Sequence, residues 1–425
     1  MRLGALIALC CALVLLLQAG AAPAKPCPKK PAKSHHCPKP KPPVEAAPPG
    51  DPYAPSLPKP PFADDHSQTD PLVGEWGPKT DPYWIRSTGS LHALLVPVDF
   101  ADYPSVKPVS FYDNLFGITA RAWFKTASFG RLTLDLQTVD RWTRMAKPAA
   151  AYGLQHCCEH ATVQAFFKEL VSTLDPSVDF SKIDSIYVIA PETTGVEINI
   201  LLWRSWPGEG IVADGKELLW GVVGNGNFAA NKAGLLVYFA MTHEAGHFMG
   251  LADLYGRDCG TCQDTHDWVG AWTMMDEARL GVDYLAWDKW LLGWLDPAQI
   301  RGLTKSGDSF QGKLTADEVA GGMHMIVVPT GPYTATVVEV RKKLGNDFNL
   351  CAEGVLVYTI DANVPNGHGP VHVQPAHPTD ALRVSQCGAL WQAAFGPGER
   401  YDDATVTVQV LATATNGFTV RVTRK

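Results

Sequence analysis

A chain of 425 residues, 46% hydrophobic and 19% charged, has material for a sizeable core, and its length suits two domains. The formal charge of −7 leaves no basic excess to neutralise phosphates, which excludes nucleic acid as a general partner.

Residues 1–24 have the form of an export signal: Arg2, an apolar run from Leu6 to Leu17, and small residues around Ala22-Pro23-Ala24. The run is short for a membrane span, so no stable insertion is expected once the signal is removed; an uncleaved anchor is the competing reading. Residues 23–62 then hold 15 of the 33 prolines, with lysines between them. Such a stretch cannot bury a core, so residues 25–84 are expected as an extended tether or short pro-segment. The protein is expected outside the cell, with the tether read as a plain spacer; attachment to the cell surface through its lysines is the competing reading. Eight cysteines follow the signal, an even number that favours disulfides in an exported chain. The expected pairs are Cys351 with Cys387, Cys27 with Cys37, and the adjacent Cys157 and Cys158 with Cys259 and Cys262. A thiolate from Cys27 or Cys37 plugging a metal site is the alternative for the first pair of cysteines.

Order is expected from residue 85. Leu91 to Phe100 reads as a buried strand, Phe111 to Phe129 as helix, Leu132 to Val139 as an alternating strand and Gln155 to Leu174 as helix. Ile183 to Ala190 and Glu217 to Val223 read as further strands, the latter as an edge strand beside the helix that follows. Leu235 to Gly250 is an apolar helix ended by glycine. After Pro297 the pattern changes to short strands separated by turn residues: Met323 to Pro329, Ala335 to Arg341, Gly354 to Asp361, Ala404 to Leu411 and Gly417 to Thr423. That spacing predicts a β-sandwich.

The chemistry concentrates in the apolar helix. His243 and His247 are four residues apart, one helical turn, so both imidazoles share a face and can share a metal. Glu244 lies beside them, offset toward a metal-held water rather than the metal. Gly250 lets the helix stop and the chain turn back, and Asp253 then falls where a third ligand would stand. A turn or cap carboxylate is the competing reading of Asp253. Asp99 and Asp102, just past the first strand, are read either as Ca2+ ligands or as turn-capping carboxylates. His266 and the pair His156/His160 are read either as further metal ligands or as surface histidines.

The run THEAGHFMGLADLYG (242–256) resembles the immune inhibitor A-type (M6) metallopeptidases, a metzincin-like group. LLVPVDFADYP (94–104), RAWFKTASFGRLTLD (121–135), GAWTMMDEARLGVDYLAWDKWLLGWLDP (270–297) and GVLVYTIDANV (354–364) agree with it in order, so the resemblance covers most of 90–365. Ala252 stands where proline is common in that group, and the Cys259/Cys262 pair is unusual there.

The resemblance implies zinc held by His243, His247 and Asp253, Glu244 as general base, and Met275 as an apolar floor under the metal, with Met274 the alternative register. Tyr284 is implied as a helper for the developing oxyanion, with a packed aromatic the competing reading. The expected architecture is α+β: a zincin/metzincin-like catalytic domain over residues 85–300, built from a mixed twisted sheet and the active-site helix, then a β-sandwich-like domain over 301–425. The expected activity is a zinc-dependent endopeptidase, monomeric, acting on protein or peptide substrates laid along an edge strand. An inactive peptidase-fold binding protein and a zinc amidase of cell-wall material are the alternatives.

Overall fold

The computed structural model describes residues 84–105, 107–154, 160–191, 198, 201–225, 235–258, 263–364, 367–377 and 387–425. The expected export signal, the tether, His156 and cysteines 27, 37, 157, 158, 259 and 262 lie outside them. No helix of the described residues is long and apolar enough to cross a membrane.

The chain is α+β. Its first sheet contains β1 (Gly89–Phe100), β2 (Leu132–Thr138), β3 (Thr143–Met145), β4 (Ser185–Ala190), β5 (Leu201–Arg204) and β8 (Trp220–Asn225). The order is β2-β1-β4-β8-β5, with β3 pairing the end of β1. β1, β2, β4 and β8 run parallel, while β5 is antiparallel to β8. β6 (Ile211–Ala213) and β7 (Lys216–Leu218) form a separate hairpin.

Alternation along β1 determines what covers each face. Leu94, Val96 and Val98 pack under Phe166, Phe167 and Leu170 of the helix His160–Leu174. Leu91, Ala93 and Leu95 face Trp123 and Phe124 of the helix Thr119–Ala127, together with Ala245 and Phe248 of the helix Leu235–Phe248. Each fully buried valine, leucine or phenylalanine among them contributes about 1.5–3 kcal/mol from burial. This sheet is therefore the floor on which the histidine-bearing helix lies.

Two expectations are corrected by these pairings. Glu217 to Val223 is not one strand: it divides at Leu219 between β7 and β8. Nor is β8 an edge, because β4 pairs one side of it and β5 the other. The edge is β5, whose four residues carry too short an alternation to be legible. Likewise Phe111 to Phe129 is not one regular helix, since a π-helical segment Asp113–Ile118 precedes Thr119–Ala127.

A ribbon of β9 (Gly256–Asp258) and β10 (Gln263–Thr265) follows the helix Leu235–Phe248. The rest of the chain supplies β11 (Ile300–Gly302), β12 (Ser309–Thr315), β13 (Met325–Pro329), β14 (Thr334–Arg341), β15 (Gly354–Asp361), β16 (Val371–Val373), β17 (Arg400–Asp402), β18 (Val406–Ala414) and β19 (Gly417–Arg424). They form one sheet of order β11-β13-β14-β15-β16 and another of order β12-β19-β18-β17. The two sheets share a core in which Ile326, Val338, Val340 and Val357 meet Val408, Val420 and Val422. Cys351 and Cys387 are joined by a disulfide, as expected.

The β11–β16 sheet is buried on its other face too. Val327, Val337, Leu356 and Tyr358 pack with Met274, Met275, Trp287 and Trp294 in the same core as the histidine-bearing helix. The period of two places Glu339 and Arg341 of β14 on this face as well, although both are charged.

Candidate metal centre

Apolar packing buries the helix Leu235–Phe248 at its C-terminal end, and the site lies on that end. After Phe248 the chain closes with bonds from Gly250 N to His247 O (2.9 Å) and from Leu251 N to Gly246 O (2.8 Å). Gly250 adopts φ +94°, a left-handed value that glycine adopts without a Cβ penalty. The turn brings Asp253 back against the two histidines.

His243 Nε2 lies 3.0 Å from Asp253 Oδ1, His247 Nε2 lies 3.0 Å from the same oxygen, and the two Nε2 atoms are 3.1 Å apart. Four-coordinate zinc with ligand bonds of about 2.0–2.1 Å sets its ligand atoms roughly 3.3 Å apart, so this triangle fits such an ion. The tautomers agree: His243 Nδ1 bonds Met274 O at 2.8 Å and His247 Nδ1 bonds Leu251 O at 2.9 Å. Each ring thus donates through Nδ1 and turns Nε2 inward, the atom a metal would take. His243, His247 and Asp253 are all buried, and this group can hold a metal ion. Burial alone would drive the His243 proton off; the Asp253 carboxylate, with Glu244 nearby, reverses this and holds the imidazole up to about 9. The pocket therefore strongly favours positive charge.

Glu244 is partly exposed beside the two histidines. Met275 lies directly beneath the helix: a Cβ on Gly246 would meet Met275 Sδ at 2.6 Å. Met274 instead contributes its carbonyl to His243, and its sulfur lies 3.6 Å from the Thr242 hydroxyl.

Tyr284 does not occupy the position of an oxyanion helper. Its side chain is fully buried, its hydroxyl donates to Thr242 O at 2.7 Å, and its ring packs edge-on against Trp123. It packs beneath the helix and ties down the Thr242 carbonyl. Asp99 and Asp102 are not arranged as a calcium site. Asp99 accepts two hydrogen bonds from Arg144, at 2.6 and 2.9 Å, and a third from Ser105 N, while Asp102 accepts from Ala149 N. These bonds already occupy carboxylate lone pairs that a cation would need. His266 bonds Asp276 at 2.5 Å, and His160 bonds the Arg204 carbonyl, so neither joins the metal group.

Tyr255, only two residues past Asp253, is a neighbour of the site that sequence reasoning missed; its ring stacks 6.2 Å from that of His243. Arg341 and Asp347 were missed as well. Their signal is present in part, as charges in or beside a strand of otherwise buried residues.

No known family profile matches this chain, and no curated protein does. Among solved structures it aligns with two crystal forms of wild-type OgpA from Akkermansia muciniphila, each at 12% identity over 70% of this chain and 94% of that one. The TM-scores of 0.28 and 0.27 are too low to establish a common fold.

Proposed function

We propose that this chain is an exported zinc endopeptidase of the immune inhibitor A (M6) type, with a zincin-like catalytic portion. The reading rests above all on the His243–His247–Asp253 triangle with Glu244 adjacent on the same helix. Two nitrogens and one carboxylate oxygen are a donor set suited to zinc, and three protein ligands leave a position for a reactant. When bound there, zinc would lower the pKa of a coordinated water and polarise a carbonyl.

The chain's own residues supply the remaining tasks. Glu244 takes the proton of the attacking water on its carboxylate and passes it to the leaving amine. Met274 O and Leu251 O hold the imidazoles in the required tautomer. Met275 excludes water from beneath the site. The mixed sheet supports a peptide substrate: among the described residues β5 is its antiparallel edge, with a hydrogen-bonding row directed away from β8 in which Arg204 O is already engaged by His160. An extended peptide can pair with such a row.

The test is zinc stoichiometry together with casein cleavage for the wild type and Glu244→Gln. The wild type is expected to bind one equivalent of zinc and cleave. Glu244→Gln is expected to bind zinc equally and lose at least 100-fold in rate, within the usual span of roughly 10²–10⁴ for a general base. Undiminished cleavage by Glu244→Gln would overturn the mechanism. Zinc binding without cleavage by the wild type would favour a binding protein, and cleavage confined to wall amides would favour the amidase.

A further inference from the structure

The segment 272–284 touches every element of the metal site, yet it has almost no regular structure of its own. Met274 O accepts from His243 Nδ1, Met275 O accepts from Leu254 N next to Asp253, and the Tyr284 hydroxyl donates to Thr242 O in the helix. Inside the segment Met274 N donates to Asp283 O at 3.2 Å. A buried segment without a ladder must find its hydrogen bonds elsewhere.

Turn bonds inside the segment satisfy part of it, from Asp276 N and Glu277 N to Thr273 O and from Gly281 N to Ala278 O, and the C-terminal sheet engages its two ends. Arg341 Nη1 donates to Trp272 O at 2.8 Å and to Tyr284 O at 3.2 Å, gripping both ends of the segment. Arg341 Nε donates to Asp347 Oδ2 at 2.7 Å, and Asp347 Oδ1 accepts from Asp283 N at 2.7 Å. Glu318 and Glu339 complete the surroundings of the guanidinium. Arg341 is fully buried in a strand of apolar neighbours. Burying a guanidinium costs several kcal/mol before pairing, and an apolar residue of similar size would pack there without that cost. Only a planar fork of donors reaches two carbonyls and a carboxylate at once.

We infer that Arg341 is a positioning residue for the metal site: through the 272–284 segment it sets the carbonyl that orients His243. The C-terminal sheet is then part of the metal centre's scaffold. The inference rests on the metal-binding half of the proposed function and not on peptide cleavage.

The experiment uses the full exported protein and measures zinc affinity by chelator competition, the visible spectrum of the cobalt-substituted site, and kcat and KM for casein. The variants are Arg341→Lys and, as a control for general loss of stability, Val408→Ala in the far sheet, whose side chain is buried away from the segment. Arg341→Lys is expected to weaken zinc affinity about 10–100-fold, the usual effect of removing a partner that orients a ligand, with an altered cobalt spectrum and a fall in kcat rather than KM. Val408→Ala is expected to lower the melting temperature and leave affinity and spectrum unchanged. Should Arg341→Lys fail to fold, Asp347→Asn, which presents an amide to the guanidinium, is expected to weaken affinity in the same direction. Unchanged zinc affinity and spectrum in the folded variant would overturn the assignment alone. A wild type that binds no zinc would overturn it together with the proposed function.

Discussion

The seam between the first sheet and the C-terminal sheet carries more carboxyl groups than cations, and this has a measurable pH consequence. Asp288 is 3% exposed, and its nearest partner is Leu285 N at 3.3 Å. Burial, reinforced by the nearby Glu339 and Asp317, raises its carboxyl to about 7 from an ordinary 3.8. Glu339 is likewise pushed up to about 7 by burial, although Arg341 opposes the shift. Because these folded-state values are raised, the native chain holds protons that the unfolded chain has released. Their stabilisation is complete below about pH 4 and is lost as pH rises toward 7. For Asp288 the slope is about 1.4 kcal/mol per pH unit and falls by half as pH reaches the folded value, so roughly 2 kcal/mol disappears between pH 5 and 7. Asparagine has nearly the same shape and cannot ionise. The melting temperature of Asp288→Asn relative to wild type is therefore expected to climb by several degrees from pH 5 to 8, in a metal-free buffer at constant ionic strength. Groups such as Asp402, whose carboxyl is held down by Thr407 and Arg400, act oppositely but cancel in the comparison. A gap between the two proteins that stays within about 1 °C from pH 5 to 8 would show that Asp288 is charged in the native state.

Two further outcomes follow from contacts in the core. Gly246→Ala places a methyl 2.6 Å from Met275 Sδ and 3.0 Å from the Tyr284 hydroxyl, so either the buried Met275 side chain or the helix must shift; a loss of about 1–3 kcal/mol and weaker zinc binding are expected by melting and chelator competition. The Cys351–Cys387 bond closes a loop with a sequence separation of 36, and the double serine variant is expected to lose about 3–4 kcal/mol of stability in denaturant titration with zinc affinity intact.

Much of this site is legible in the order of residues alone. A one-turn spacing of His243 and His247 fixes their common helical face, because helix geometry is local. Gly250 marks the turn for the same reason, since its φ of +94° is a property of the backbone at that residue. The run Gly354–Asp361 is readable for a different reason: it is apolar and rich in β-branched residues, as a strand buried on both faces must be. Short or isolated pieces are not: Leu201–Arg204 has four residues, too few to display a period, and only its pairing with β8 makes it the sheet edge.

Asp253 marks the boundary between the two levels. Spacing brings Asp253 to the neighbourhood of the histidines, but a turn cap and a ligand have the same sequence. Only the 3.0 Å approach to both Nε2 atoms places it in the group that can hold a metal ion. Tyr284, Asp99 and Asp102 go the other way, because the atoms that engage them belong to Thr242, Arg144, Ser105 and Ala149. Arg341 is the extreme case: 69 residues after Trp272, it meets that carbonyl through a fold-wide path that no local period encodes. The sequence determined which side chains share the helical face that can hold a metal ion and which helix presents them, because those depend on neighbours along the chain. Tertiary structure decided which groups are oriented, neutralised or already engaged, because those depend on atoms brought together only when the second sheet closes over the first.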